Sequence, residues 1–166
     1  VYGPQGTAWN LVTYPTAIPA SIFSSSTKIV FMEGSDANVT EFNNFYTANL
    51  ALIQNWVSGG GHLFVNVAPN GGPASIPLGF GGVLLTNSQF TPTATIAAGQ
   101  SGHPIFNGPI AGVGTTWTGG SYGHAVINLS PATKLIDGIG GNSVLSVLDY
   151  GNGRVLFGGM TMTNFH

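Results

Sequence analysis

The chain has 166 residues, 26 of them glycine, no cysteine, and only three basic and five acidic side chains for a formal charge of −2. That length suits one domain with a real core. The scarcity of basic groups leaves no electrostatic footprint for nucleic acid or an anionic membrane, and the absence of cysteine removes disulfides, thiolate metal sites and thiol nucleophiles.

With about 5% charged residues, solubility must come from Asn, Ser, Thr and Gly. Such a surface suits an extracellular or cell-surface protein. No apolar run reaches the roughly 18 residues of a membrane-spanning helix, so membrane insertion is not expected. The chain opens at Val1 without a signal peptide, which reads as processing or excision from something longer. Sequons at Asn38 and Asn128 are candidate glycosylation sites, although a chain this rich in Asn, Ser and Thr generates sequons by chance.

Residues 1–27, with three prolines and a serine run, read as a mostly irregular lead-in in which only Leu11-Val12 suggests a strand. "KIVFMEG" (28–34) is the first convincing strand, and its unbroken apolar run predicts a central position covered on both faces. A helix follows: Asn38 and Glu41 stand in capping-box positions, and Phe42, Phe45, Tyr46, Leu50, Ile53, Trp56 and Val57 recur at helical spacing. Gly59–Gly61 end it, and "HLFVNV" (62–67) is a second buried strand. Strand, helix, glycine turn and strand form a βαβ unit with parallel strands.

Further strands are expected at 81–86, 124–129, 133–137, 143–150 and 153–160, the last two joined as a hairpin by "GNG". Glycine-rich loops are expected at about 68–80 and 98–123. The result is an α/β domain with a mostly parallel central sheet extended by antiparallel strands toward the C-terminus. "MTMTNFH" closes the chain where such a layout would place another covering helix, which favours a fragment or an element supplied elsewhere.

In order, "KIVFMEG", "IQNWVSGGGHLFVNV", "GHPIFNG" and "VLDYGNGRVLFGGMTMTNFH" resemble the class I glutamine amidotransferase-like group of flavodoxin-like domains, including its non-catalytic members in large secreted bacterial proteins. The resemblance spans residues 28–166 and implies a three-layer sandwich. Catalytic members carry a cysteine after the strand matching 62–67. Ala68, Pro69 and Asn70 stand here instead, so the resemblance implies a silent site and a structural or adhesive role beside other domains or neighbouring subunits.

Competing chemistry centres on a few residues. "GGSYG" (119–123) matches the G-x-S-x-G nucleophile elbow and would make Ser121 a hydrolase nucleophile with His124, His103 or His166, but the elbow needs a helix after the serine and "HAVINL" reads as a strand. Glu33 and Asp36 lie at the carboxyl end of the first strand, where α/β sheets bind ligands, and are the carboxylates that a secreted hydrolase could use in place of Ser121; the plainer reading is support for the next helix's N-terminus. No histidine has metal-ligand spacing, no calcium or phosphate loop occurs, and no cofactor is expected. Trp117 and Tyr122, in an expected loop, form the best platform for stacking on sugar, which makes a carbohydrate-binding module the third reading.

Overall fold

The computed structural model describes residues 3–108, 114–128 and 131–161. Its regular elements are α1 (Pro19–Ile22), β1 (Ile29–Glu33), α2 (Val39–Ser58), β2 (His62–Asn66), β3 (Ser75–Gly79), β4 (Val83–Ile96), β5 (Thr116–Asn128), β6 (Thr133–Asp137), β7 (Ser143–Tyr150) and β8 (Gly153–Gly158). The strands form one sheet ordered β1-β2-β8-β7-β5-β4-β3, with β6 off this path against β4 and β7. Among the described residues no helix is long and apolar enough to cross a membrane.

The βαβ unit forms as its pattern dictates. β1 and β2 run parallel with Ile29 opposite His62 and Glu33 opposite Asn66, and α2 connects them. Phe42, Tyr46, Ile53 and Val57 of α2 are fully buried against Leu63, Val65 and Val67. Tyr46 donates its hydroxyl to the Leu78 carbonyl at 2.8 Å, so the one polar atom of that ring is satisfied inside the core. The helix stops at Gly59, and Gly60 takes φ +113, a conformation that disfavours any side chain.

Two local expectations fail for physical reasons. Asn38 makes no side-chain capping bond and Glu41 completes no box, because a 3₁₀ turn (Asp36–Asn38) precedes α2 and Asn38 already has helical backbone angles. β1 is an edge strand, not a central one: Met32 is buried under α2, whereas Ile29 is 70% and Phe31 50% exposed. Its apolar run reflects two faces, of which only one is covered.

The lead-in is mostly irregular, apart from α1 and a 3₁₀ turn at Tyr14–Thr16, and Leu11-Val12 forms no strand. It is nonetheless pinned. Tyr14 donates its hydroxyl to the Glu33 carbonyl at 2.5 Å, and the Trp56 indole donates to the Ser24 and Thr27 carbonyls at 3.1 and 3.3 Å.

The larger correction concerns the sheet. Among the described residues only β1–β2 and β2–β8 pair in parallel, and the other six pairings are antiparallel. β4 pairs with β5, β5 with β7, β7 with β6 and β6 with β4, which closes these four strands into a ring, a small barrel. α2 covers one face of the β1-β2-β8 portion, and no second helical layer stands opposite among the described residues. The chain is therefore not the mostly parallel, flavodoxin-like three-layer sandwich implied by the amidotransferase-like resemblance, and the adhesive role drawn from that resemblance loses its support.

Two stretches expected as loops carry strand. β3 occupies Ser75–Gly79 within the first, and β5 begins at Thr116 inside the second. The barrel has its own core of Ala94, Leu135, Ile136, Val144 and Leu145.

α2 passes tightly over the sheet at Gly153, where a Cβ would lie 2.1 Å from the Val57 carbonyl oxygen and 2.2 Å from that of Gly61. Gly153→Ala is expected to cost roughly 3 kcal/mol, the upper range for overpacking, because only backbone could yield. Gly120→Ala, with nothing within 4 Å, should change stability by less than about 0.5 kcal/mol. Urea unfolding midpoints of the two variants check both.

Candidate functional site

At the carboxyl ends of β1 and β2 the carboxylate of Glu33 is occupied structurally. Its Oε1 accepts the Ser35 N–H at 2.6 Å and its Oε2 accepts the Asn38 amide at 3.2 Å, fixing the turn that enters α2. This is the helix-supporting role, and it directs Glu33 away from general acid or base work. The exposed Asp36 has φ +43 and borders an open depression of about 500 Å³ with Val39, Thr40, Asn70, Gly71 and Gly72. Asn38 is exposed at the start of α2, as is Asn128 at the end of β5; Leu129 and Ser130 of the second sequon lie outside the described residues.

The serine elbow does not form. Ser121 lies within β5, with strand on both sides, and its Oγ donates to the Gly123 carbonyl at 3.4 Å instead of to a histidine. His124 is buried with its ring 5.0 Å from that of Phe90, and Nδ1 of His103 accepts the Ile105 N–H at 3.2 Å. His62 is an exposed strand-start residue, and His166 lies outside the described residues. Among the described residues no three His, Asp or Glu side chains converge as a metal site.

What replaces the elbow is a bulge. Thr91 of β4 pairs with Gly123 of β5, and Thr93 pairs with Thr118, so two steps along β4 face five along β5. The surplus residues fall at Gly119–Tyr122. In a regular strand, residues five apart point to opposite faces and stand roughly 17 Å apart. Here the Trp117 and Tyr122 rings lie 6.0 Å apart with planes only 19° from parallel. Phe106 extends the set, 6.3 Å from Trp117 at 27°, and His103 meets Phe106 edge-on at 6.4 Å. All four side chains are half-buried.

The bulge is held by residues that the sequence reading passed over. Thr161 donates its hydroxyl to the Ser121 carbonyl at 2.5 Å and its N–H to the Tyr122 carbonyl at 2.9 Å. Asn66, 3% exposed, grips the neighbouring residue from β2: its Nδ2 donates to the Met160 carbonyl at 2.9 Å and its Oδ1 accepts the Met160 N–H at 3.2 Å. The Tyr122 hydroxyl contacts Met160 Sδ at 3.6 Å. An asparagine inside the apolar run "HLFVNV" was the available signal, since a buried amide needs partners.

No family model matches the chain. An uncharacterized protein of Clostridium acetobutylicum is 31% identical over 116 residues, which cover 69% of this chain and 11% of that protein. Among solved structures, the β-galactosidase from Rahnella sp. R3 superposes with a TM-score of 0.43 at 13% identity, over 81% of this chain and 20% of its own. The exo-β-1,4-mannosidase from Opitutaceae bacterium strain TAV5 gives 0.45 at 16%, over 82% and 21%. A cytoplasmic protein from Salmonella typhimurium LT2 gives 0.45 at 16%, over 80% and 60%. The chain thus spans about a tenth of the curated relative and a fifth of either glycosidase.

Burial raises the Tyr122 phenol above the ordinary tyrosine range, as it does for Tyr46 and, together with the Glu33 charge, for Tyr14. Raised folded values favour the neutral phenol, so its stabilising contribution is complete below about pH 10 and declines as pH rises further. In an alkaline absorbance titration these three phenols should ionise together with loss of fold, not before it. Asn66→Ala should lower stability by about 2–3 kcal/mol in urea, by leaving both backbone groups of Met160 without their buried partners.

Proposed function

We propose that this chain is a carbohydrate-binding module whose contact surface is the aromatic set Trp117, Tyr122 and Phe106. The observation that carries the reading is the bulge at Gly119–Tyr122, in which three more residues of β5 than of β4 set two rings five positions apart nearly parallel at 6.0 Å. Aromatic faces bind the C–H faces of sugar rings, and a strand-borne pair keeps its orientation without a ligand present. His103 supplies a polar edge: with Nδ1 accepting from Ile105, Nε2 is the ring nitrogen left to donate to a sugar hydroxyl. The charge nearest the set, the Asp149 carboxylate in the field of His103, is paired with Arg154 at 2.6 Å, which favours a neutral glycan.

The extracellular setting expected from composition, and the neighbouring domains or subunits expected as partners, belong to the same proposal. A hydrolase built on Ser121 is not favoured, because its hydroxyl faces a backbone carbonyl.

The test is a glycan array followed by calorimetry. Binding of a neutral oligosaccharide should be lost in Trp117→Ala, be weakened roughly tenfold or more in Tyr122→Ala, consistent with about 1.4 kcal/mol from one stacking partner, and persist in Ser121→Ala. Far-UV circular dichroism of each variant separates lost contact from lost fold. Binding that survives Trp117→Ala, or none across the array, overturns the reading.

A further inference from the structure

Three Asn-Gly pairs occur in the chain: Asn70-Gly71, Asn107-Gly108 and Asn152-Gly153. Such pairs can cyclise, because glycine leaves the following backbone nitrogen unshielded, and the fold treats the three very differently. Asn107 has its side-chain amide committed, donating to the Ser101 carbonyl at 2.5 Å and the His103 carbonyl at 3.2 Å. Asn152 sits in the two-residue β7–β8 turn with its N–H on the Ser58 carbonyl at 2.9 Å, and Gly153 is paired with Tyr150 and wedged beneath α2. Asn70 and Gly71 are exposed, neither side-chain nor backbone N–H of the pair is hydrogen-bonded within the described residues, and nothing lies within 4 Å of a Gly71 Cβ position.

We infer that Asn70-Gly71 is a site of spontaneous modification, in which the folded protein converts Asn70 to aspartate and isoaspartate. The Gly71 backbone nitrogen attacks Asn70 Cγ and forms a new C–N bond. The side-chain nitrogen leaves as ammonia, taking up the proton released by Gly71, and a water molecule then opens the five-membered imide at either carbonyl. No oxidant, reductant or enzyme is required. The product places a second carboxylate on the depression already bordered by Asp36 and changes the formal charge from −2 to −3. The isoaspartate form also lengthens the backbone by one methylene between β2 and β3, where Gly72 meets Val39.

The experiment is prolonged incubation of the native protein in mildly alkaline buffer, read by peptide mapping and by methylation with an isoaspartate-specific methyltransferase. Conversion at Asn70 should lead conversion at Asn107 and Asn152, and in urea the three should become comparable. Gly71→Ala should slow it roughly tenfold or more with the fold intact, since Gly71 has no positive φ and open space around it. Earlier conversion at Asn107 or Asn152 in the folded protein, undiminished conversion in Gly71→Ala, or conversion at Asn70 only in urea each overturns the inference.

Discussion

The fold depends on how β8 ends. β8 is the strand that reconciles two incompatible directions, lying parallel to β2 on one side and antiparallel to β7 on the other. Beyond it the chain must leave β2 and reach β5, and two glycines make the crossing possible. A Cβ on Gly158 would stand 2.4 Å from Asn66 Oδ1, and one on Gly159 would stand 2.1 Å from the Ala125 carbonyl oxygen. The amide of Asn66 then continues the ladder in place of backbone, holding Met160 by both its N–H and its carbonyl. That grip adds to the β7–β8 ladder, by which the parallel portion and the barrel are already joined.

The same crossing sets the geometry of the aromatic set. Because residues 158–161 run across β5, the Gly159 carbonyl takes the His124 and Ala125 N–H groups at 3.0 and 3.3 Å, and Thr161 secures the carbonyls of the bulge. The detour at Gly119–Tyr122 is therefore a defined turn of the strand with the carbonyls of Ser121 and Tyr122 held by Thr161. Ring orientation on β5 is inherited from contacts made by a segment about 40 residues later in the chain.

Local pattern was readable where one contact type dominates. The stripe from Phe42 to Val57, the glycine stop at 59–61 and the "GNG" hairpin follow from period and turn chemistry alone, and α2, β2, β6, β7 and β8 lie close to where the residues put them. What could not be read was pairing partner. "KIVFMEG" is as apolar as a central strand, yet its outer face stays open; "GTTWTGGSYG" is as glycine-rich as a loop, yet the ladder with β4 makes it a strand. Those outcomes depend on long-range register, and with it on Asn66 and Thr161, whose partners lie 94 and 40 residues away. The Glu33 carboxylate and the Trp117–Tyr122 pair were both visible as candidates, but their roles diverged only once the turn into α2 and the bulge were known.

The lead-in bears on the open edge of the sheet. β1 is an open edge beside exposed Ile29 and Phe31, the kind of border onto which a further strand can be added to lengthen a sheet from molecule to molecule. Tyr14, packed on Phe42 and Phe45 of α2, occupies the carbonyl of Glu33 at the end of that border. A segment with almost no regular structure of its own thus takes up one acceptor at the end of that border, and removing the chain through Tyr14 would leave the Glu33 carbonyl open as well.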